Sequence, residues 1–223
     1  MKTRILSGAS FGVMAAWVGI MGLASAEPAL GVVDEPPAIT VLVANYSQAS
    51  PAVLAAAERE AGRILGQAGL RTSWLECSVG PSGVSLGDPC QEAPAANGIR
   101  LRILPAPVLD KFQDSVFGFA VHPLLASVYY EFALRRAKRD DAEFELPIIL
   151  GCVMSHELGH LLLGSNSHSD KGIMLPRWEV NQVRQLMMGT LLFTPDQARL
   201  IRLEAQTRTK SQRDTRTSIS LTP

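Results

Sequence analysis

The sequence predicts an α+β fold: a mixed five-stranded sheet, a backing helix, a long apolar helix and a short C-terminal helix. Three observations carry this. The predicted order is strand, helix, four strands, helix, an irregular segment and a final helix. Ile99, Leu101 and Ile103 alternate with Arg100 and Arg102, as in a strand with one wet face. From Pro147 to about Leu163 the chain is apolar over a helical length, and Pro147 suits a helix opening.

The elements follow in order. Residues 27–37 are Pro-rich and read as an extended lead-in. Ala38 to Ala44 (AITVLVA) is apolar and β-branched, a buried strand. Ser50 suits a helix cap, with Pro51 at the first helical position. Leu54, Ala57, Ala61, Ile64 and Leu65 then share one helical face, and Gly69 is a natural stop. Arg71 to Glu76 reads as a second strand, and Gly80 to Gly98 as a loop rich in Gly, Pro and Ser. After the alternating strand come two more, Phe117 to Val121 and Ser127 to Phe132. Ala133 to Arg139 reads as a short basic helix or turn. Thr194-Pro195-Asp196 caps a final helix ending near Leu203. The Thr/Ser/Arg-rich tail, 207–223, is expected to be disordered.

The 223 residues hold 21 basic and 21 acidic side chains. This zero net charge conceals an uneven distribution. Lys2 and Arg4 precede an apolar run from Phe11 to Ala24, which ends in Ala24-Ser25-Ala26. That pattern reads as a signal peptide over residues 1–26, and no later segment is expected to cross a bilayer. Residues 27–206 carry 15 basic and 20 acidic groups, net −5, which argues against a nucleic-acid binder. The expected product is a secreted or periplasmic monomer with no stable membrane insertion. Cys77 and Cys90 flank part of the loop and suit a disulfide in an oxidising compartment. Cys152 lies four residues before His156, on the same helix face, and reads as a small core residue.

The apolar helix contains His156-Glu157-Leu158-Gly159-His160. Histidines four apart on a helix face one way, so both imidazoles can reach one Zn2+ ion. Glu157 points about a quarter-turn away, where a carboxylate can take a proton from a water the metal has acidified. Three polar groups in such an apolar helix need a purpose, since burying them unpaired is costly. A catalytic zinc needs a third protein ligand, and His168, Asp170 and Glu179 are the candidates.

The stretch 156–176, HELGHLLLGSNSHSDKGIMLP, resembles the metzincin zinc endopeptidases, whose signature is HExxHxxGxxH followed by a methionine turn. Locally it is most similar to the matrixins, and also to predicted secreted bacterial zinc peptidases with longer spacing. The resemblance implies His156, His160 and His168 as zinc ligands and Glu157 as general base. It also implies Gly164 as the point where the chain leaves the helix, and Met174 as the base beneath the metal. Trp178 would wall a substrate pocket; Met174 and Trp178 also suit ordinary core positions. The clan's third histidine falls at Asn166 here, and His168 lies eight residues after His160 instead of six. Glu179 is near the spacing of the gluzincins' third ligand, but Val183 stands where that clan has an aspartate. The segment Gly118 to Pro123 falls where the clan has the edge strand that pairs with substrate. His122 within it would line the cleft or bind a second metal, or be a loop histidine without a role.

The expected function is therefore a secreted zinc endopeptidase acting on peptides or proteins. The alternatives are a zinc-stabilised binding module without turnover, a zinc hydrolase of non-peptide substrates, and a gluzincin-type hydrolase using Glu179.

Overall fold

The computed structural model describes residues 35–80, 83–84, 88–91, 94–106, 117–139, 145–164 and 166–220. The signal peptide expected over residues 1–26 lies outside them. The sheet has the order β2-β1-β5-β7-β6. Its strands are β1 (Ala38–Asn45), β2 (Arg71–Cys77), β5 (Gly98–Leu104), β6 (Gly118–Val121) and β7 (Leu125–Tyr129). β2, β1, β5 and β7 run parallel, and β6 returns antiparallel along β7 as an edge. The expected α+β class and mixed five-stranded sheet are both found. Within the expected loop 80–98, a two-residue ladder joins β3 (Val79–Gly80) to β4 (Gly83–Val84). Cys77 and Cys90 form the expected disulfide.

Alternation along the strands decides which face is covered. Ile39, Val41, Val43, Ile99, Leu101, Ile103, Ala126 and Val128 are all essentially buried. They meet the apolar faces of α1 (Pro51–Gln67) and α3 (Leu146–Leu163) in one core. Ser50 caps α1, its hydroxyl accepting from Val53 N at 3.3 Å. α1 and α3 approach closely at Gly151, where a Cβ would lie 2.7 Å from both Ala57 O and Glu60 Cβ. α3 is 18 residues long and apolar enough to cross a membrane by length and composition, contrary to the expectation from sequence. It is mostly buried inside the domain, so its apolarity serves the core.

Three boundaries differ from expectation. β7 ends at Tyr129, and Tyr130 to Phe132, read as strand, begin α2 (Tyr130–Arg139). The aromatic residues suggested β-structure, but Ala133 and Ala137 are fully buried and continue a helical stripe from Tyr130. The segment read as irregular contains α4 (Val180–Met187). The last helix, α5, runs Pro195–Ser220, so the tail expected to be disordered is helical over 207–220. Ala198, Ile201, Ala205 and Arg208 are buried at helical spacing, and this stripe passes beyond the expected end near Leu203.

A buried carboxyl group on α1 opposes the fold. Glu58 on α1 is 8% exposed, and its Oε1 has no hydrogen-bond partner among the described residues. Burial, reinforced by the charge of Glu76, pushes its carboxyl up to about 7. A raised folded-state pKa means stability is present at low pH and lost as pH rises from about 4.5 through about 7. Glu58→Gln should therefore change little at pH 5 and stabilise by about 1–2 kcal/mol at pH 8, after allowance for partial solvation. Urea unfolding at the two pH values measures this, and an equal effect at both would refute it.

Candidate metal centre

The site is built on the second half of α3. His156 is 2% exposed, Glu157 3%, and His160 half-buried. The chain leaves α3 at Gly164, whose φ of 89° suits glycine, and Gly164 N donates to His160 O at 3.1 Å. Asn166 also has a positive φ, 63°. With Asn166 in this left-handed turn, the two-residue extension still returns His168 to the other histidines. Ring centroids of His168 lie 5.4 Å from His156 and 4.7 Å from His160. One ligand atom from each of the three lies within 4.8 Å of the others.

The hydrogen bonds prepare these rings as ligands. His156 Nδ1 is 2.8 Å from Ile173 O. A carbonyl only accepts, so Nδ1 carries the proton and Nε2 keeps its lone pair. His160 Nδ1 is 2.9 Å from Ser167 Oγ, and the Nε2 atoms of His156 and His160 face each other at 3.1 Å. Two bare nitrogens repel at that distance unless they share a proton or a cation. A tetrahedral Zn2+ with bonds of about 2.0–2.1 Å holds its nitrogens about 3.3 Å apart, so the donor set fits. Burial drives the His156 pKa down to about 3 and that of His160 to about 4. Both rings are therefore neutral at pH 7, as metal ligation requires.

Glu157 is different in character. Its Oε2 has no hydrogen-bond partner among the described residues, and burial pushes its carboxyl up to about 8. It lines a cleft of about 440 Å3 together with the three histidines. Phe117 to Ala120, at and beside β6, line another side, and His122, Asn166 and Pro176 also reach it. Gly118 sets the place of that strand wall, since a Cβ there would collide with Ser127 O.

Below the histidines the chain turns through Gly172 (φ 74°) to Met174. Ser169 N donates to Met174 O at 3.0 Å, and Ile173 N to Leu192 O at 2.9 Å. Met174 is fully buried beneath α3, where a Cβ on Gly159 would lie 2.6 Å from its Sδ and 2.8 Å from Phe193 Cε1. Gly159→Ala should cost about 1–3 kcal/mol through overpacking. It should also weaken metal binding, because Met174 is joined to Ile173, whose carbonyl orients His156. Thermal melting with and without added Zn2+ checks this, and an unchanged melting temperature would remove the contact from the argument.

Other sequence candidates are placed elsewhere. Trp178 donates from Nε1 to Ile173 O at 3.2 Å and packs on Phe117, with centroids 4.4 Å apart. It thus braces the carbonyl that orients His156 and does not line the cleft as expected. Glu179 is exposed and caps α4, its N–H donating to Gln182 Oε1 at 3.1 Å. Asp170 is exposed and outside the metal-capable group. Cys152 is buried, and burial raises its thiol pKa; the charges acting on it are Glu60 and Arg63 of α1, not the histidines. Reasoning from sequence did not find Arg208, which is 7% exposed and bonds to Leu161 O, Pro123 O and Glu204.

The fold that carries this site is similar to that of solved structures. No family model matches the sequence, and no curated protein matches it. A zinc-dependent peptidase from Methanocorpusculum labreanum is similar at TM-score 0.51 and 15% identity, over 72% of this chain and 99% of that one. Archaemetzincin from Methanopyrus kandleri is similar at TM-score 0.44 and 16% identity, over 78% of this chain and 99% of that one. The first likeness shows that the chain has the fold of a zinc-dependent peptidase.

Proposed function

We propose that the protein is an exported, monomeric, metzincin-type zinc endopeptidase. The observation that carries this is the meeting of three imidazoles, those of His156 and His160 held neutral by burial, with a buried carboxylate whose Oε2 has no partner among the described residues, in one cleft. The Met174 turn beneath the triad and the solved zinc-dependent peptidase of the same fold support it. Export rests on the leader pattern of residues 1–26 and on the Cys77–Cys90 disulfide. The matrixin-like detail rests on the local motif alone.

His156, His160 and His168 would hold Zn2+, which supplies Lewis acidity and brings the pKa of water towards about 7. Glu157 takes a proton from the attacking water and passes it to the leaving amine. Burial raises this carboxyl in the metal-free site, and a cation held by the triad would favour its charged form, the form that accepts a proton. β6 ends the sheet, so its outer edge offers backbone groups to an extended peptide lying in the cleft. A structural zinc site closed by four protein ligands would have no use for Glu157, which favours turnover over a binding module.

The test is metal analysis of the purified protein together with cleavage of a peptide library read by mass spectrometry. One equivalent of zinc is expected, with cleavage abolished by a chelator and restored by Zn2+. One equivalent of zinc without any cleavage would overturn the reading.

A further inference from the structure

We propose that His122 is a catalytic residue, donating an imidazole N–H to the carbonyl oxygen of the peptide bond under attack. This rests on the peptidase reading above. Beyond the triad and Glu157, the side chains lining the cleft that carry an N–H or O–H donor are His122 and Asn166. Asn166 belongs to the loop of His168. His122 stands on the β6–β7 turn, at the end of the strand wall along which an extended substrate would lie. Its ring is exposed and makes no hydrogen bond among the described residues.

The turn that carries His122 is held in place. Arg208 of α5 donates from Nη1 to Pro123 O at 3.2 Å and from Nη2 to Leu161 O at 3.0 Å. Its Nε is paired with Glu204 at 2.8 Å. Leu124 O accepts from Arg100 N at 2.7 Å. The two residues after His122 are thus pinned, one to the end of the metal-bearing helix and one to the sheet. A buried guanidinium is a costly way to brace a surface turn, and it fixes His122 relative to α3. His122 also lines a second hollow of about 340 Å3, bounded by Leu161 to Gly164 and by Leu200, Leu203 and Thr207 of α5. His122 is thus common to the walls of both.

The step balances without any further reactant. Water loses a proton to Glu157 and its oxygen bonds to the carbonyl carbon. The π pair of the C=O bond moves onto the oxygen, which accepts the His122 N–H. When the C–N bond breaks, the pair returns and the amine takes the proton from Glu157. A donor aimed at the oxygen that gains charge contributes to kcat and little to KM.

The experiment compares the zinc-loaded parent with His122→Ala and His122→Gln. Its readouts are zinc content, kcat and KM, and the affinity of a phosphinic peptide against that of a product peptide. His122→Ala should lower kcat about 10²-fold at a KM within about threefold, and weaken the phosphinic peptide in parallel. It should keep its zinc and its affinity for the product peptide. His122→Gln should recover part of the loss, because its amide also donates. A kcat within twofold of the parent, a loss confined to KM, or loss of zinc would each overturn the proposal. A parent protein that loads zinc but cleaves nothing removes the peptidase reading and this one with it. A cleaving parent with an equally active His122→Ala removes this one alone.

Discussion

Glu157→Gln should lower kcat for peptide hydrolysis by about 10²–10⁴-fold and, in the metal-free protein, raise stability at alkaline pH. The amide has the shape of the carboxylate but cannot take a proton from water or return it. The stability gain follows from burial. Glu157 is 3% exposed, its Oε2 has no partner among the described residues, and burial pushes its pKa up to about 8. A folded-state pKa raised from 4.5 gives stability at low pH that is lost as pH rises towards about 8. The variant escapes that loss, so its advantage over the parent should be small at pH 5 and reach about 1–3 kcal/mol at pH 9. Chelator-treated samples melted across that range measure it. Zinc should shrink the difference, because a nearby cation favours the charged carboxylate. A variant that cleaves like the parent would end the general-base assignment. One less stable than the parent at every pH would end the argument from burial.

His168→Ala should weaken Zn2+ binding by more than about 10²-fold, beyond the usual cost of disturbing an outer-shell partner. Asp170→Ala and Glu179→Ala should leave it within about threefold. The three residues competed as third ligand in the sequence, and the geometry separates them. His168 brings a ring nitrogen to those of His156 and His160, whereas Glu179 caps α4. Glu179→Ala should instead cost about 1 kcal/mol of helix stability. Competition against a chromophoric chelator gives the affinities, and urea unfolding gives the stabilities. Zinc retained in His168→Ala and lost in Glu179→Ala would move the site to another ligand geometry.

The parts of this molecule that could be read from sequence are those in which local pattern and tertiary role agree. The i, i+4 histidines face one way on any helix, and the β-branched run of β1 is both a strand former and a sheet centre. β5, the middle strand, could be read because Ile99, Leu101 and Ile103 alternate cleanly with Arg100 and Arg102. What could not be read depends on long-range contacts. Arg208 belongs by composition to a polar tail, yet it is buried because carbonyls of Pro123 and Leu161 wait for it. Tyr130 to Phe132 favour strand by type, but the burial of Ala133 and Ala137 makes them the first turn of a helix. Nothing local to Trp178 distinguishes a pocket wall from its place against Phe117 and the carbonyl of Ile173. The capping pair Glu179 and Gln182 is a local start signal for α4.

The Arg208 clamp bears on the order in which the protein is made. Pro123 precedes Arg208 by 85 residues and Leu161 by 47. A ribosome therefore releases the triad, Glu157 and His122 before it releases the residue that locks the wall to the metal-bearing helix. Until α5 has been synthesised and docked, the carbonyls of Pro123 and Leu161 lack the guanidinium that bridges them. A chain that stops short of Arg208 therefore lacks the contact that ties the β6–β7 turn to α3.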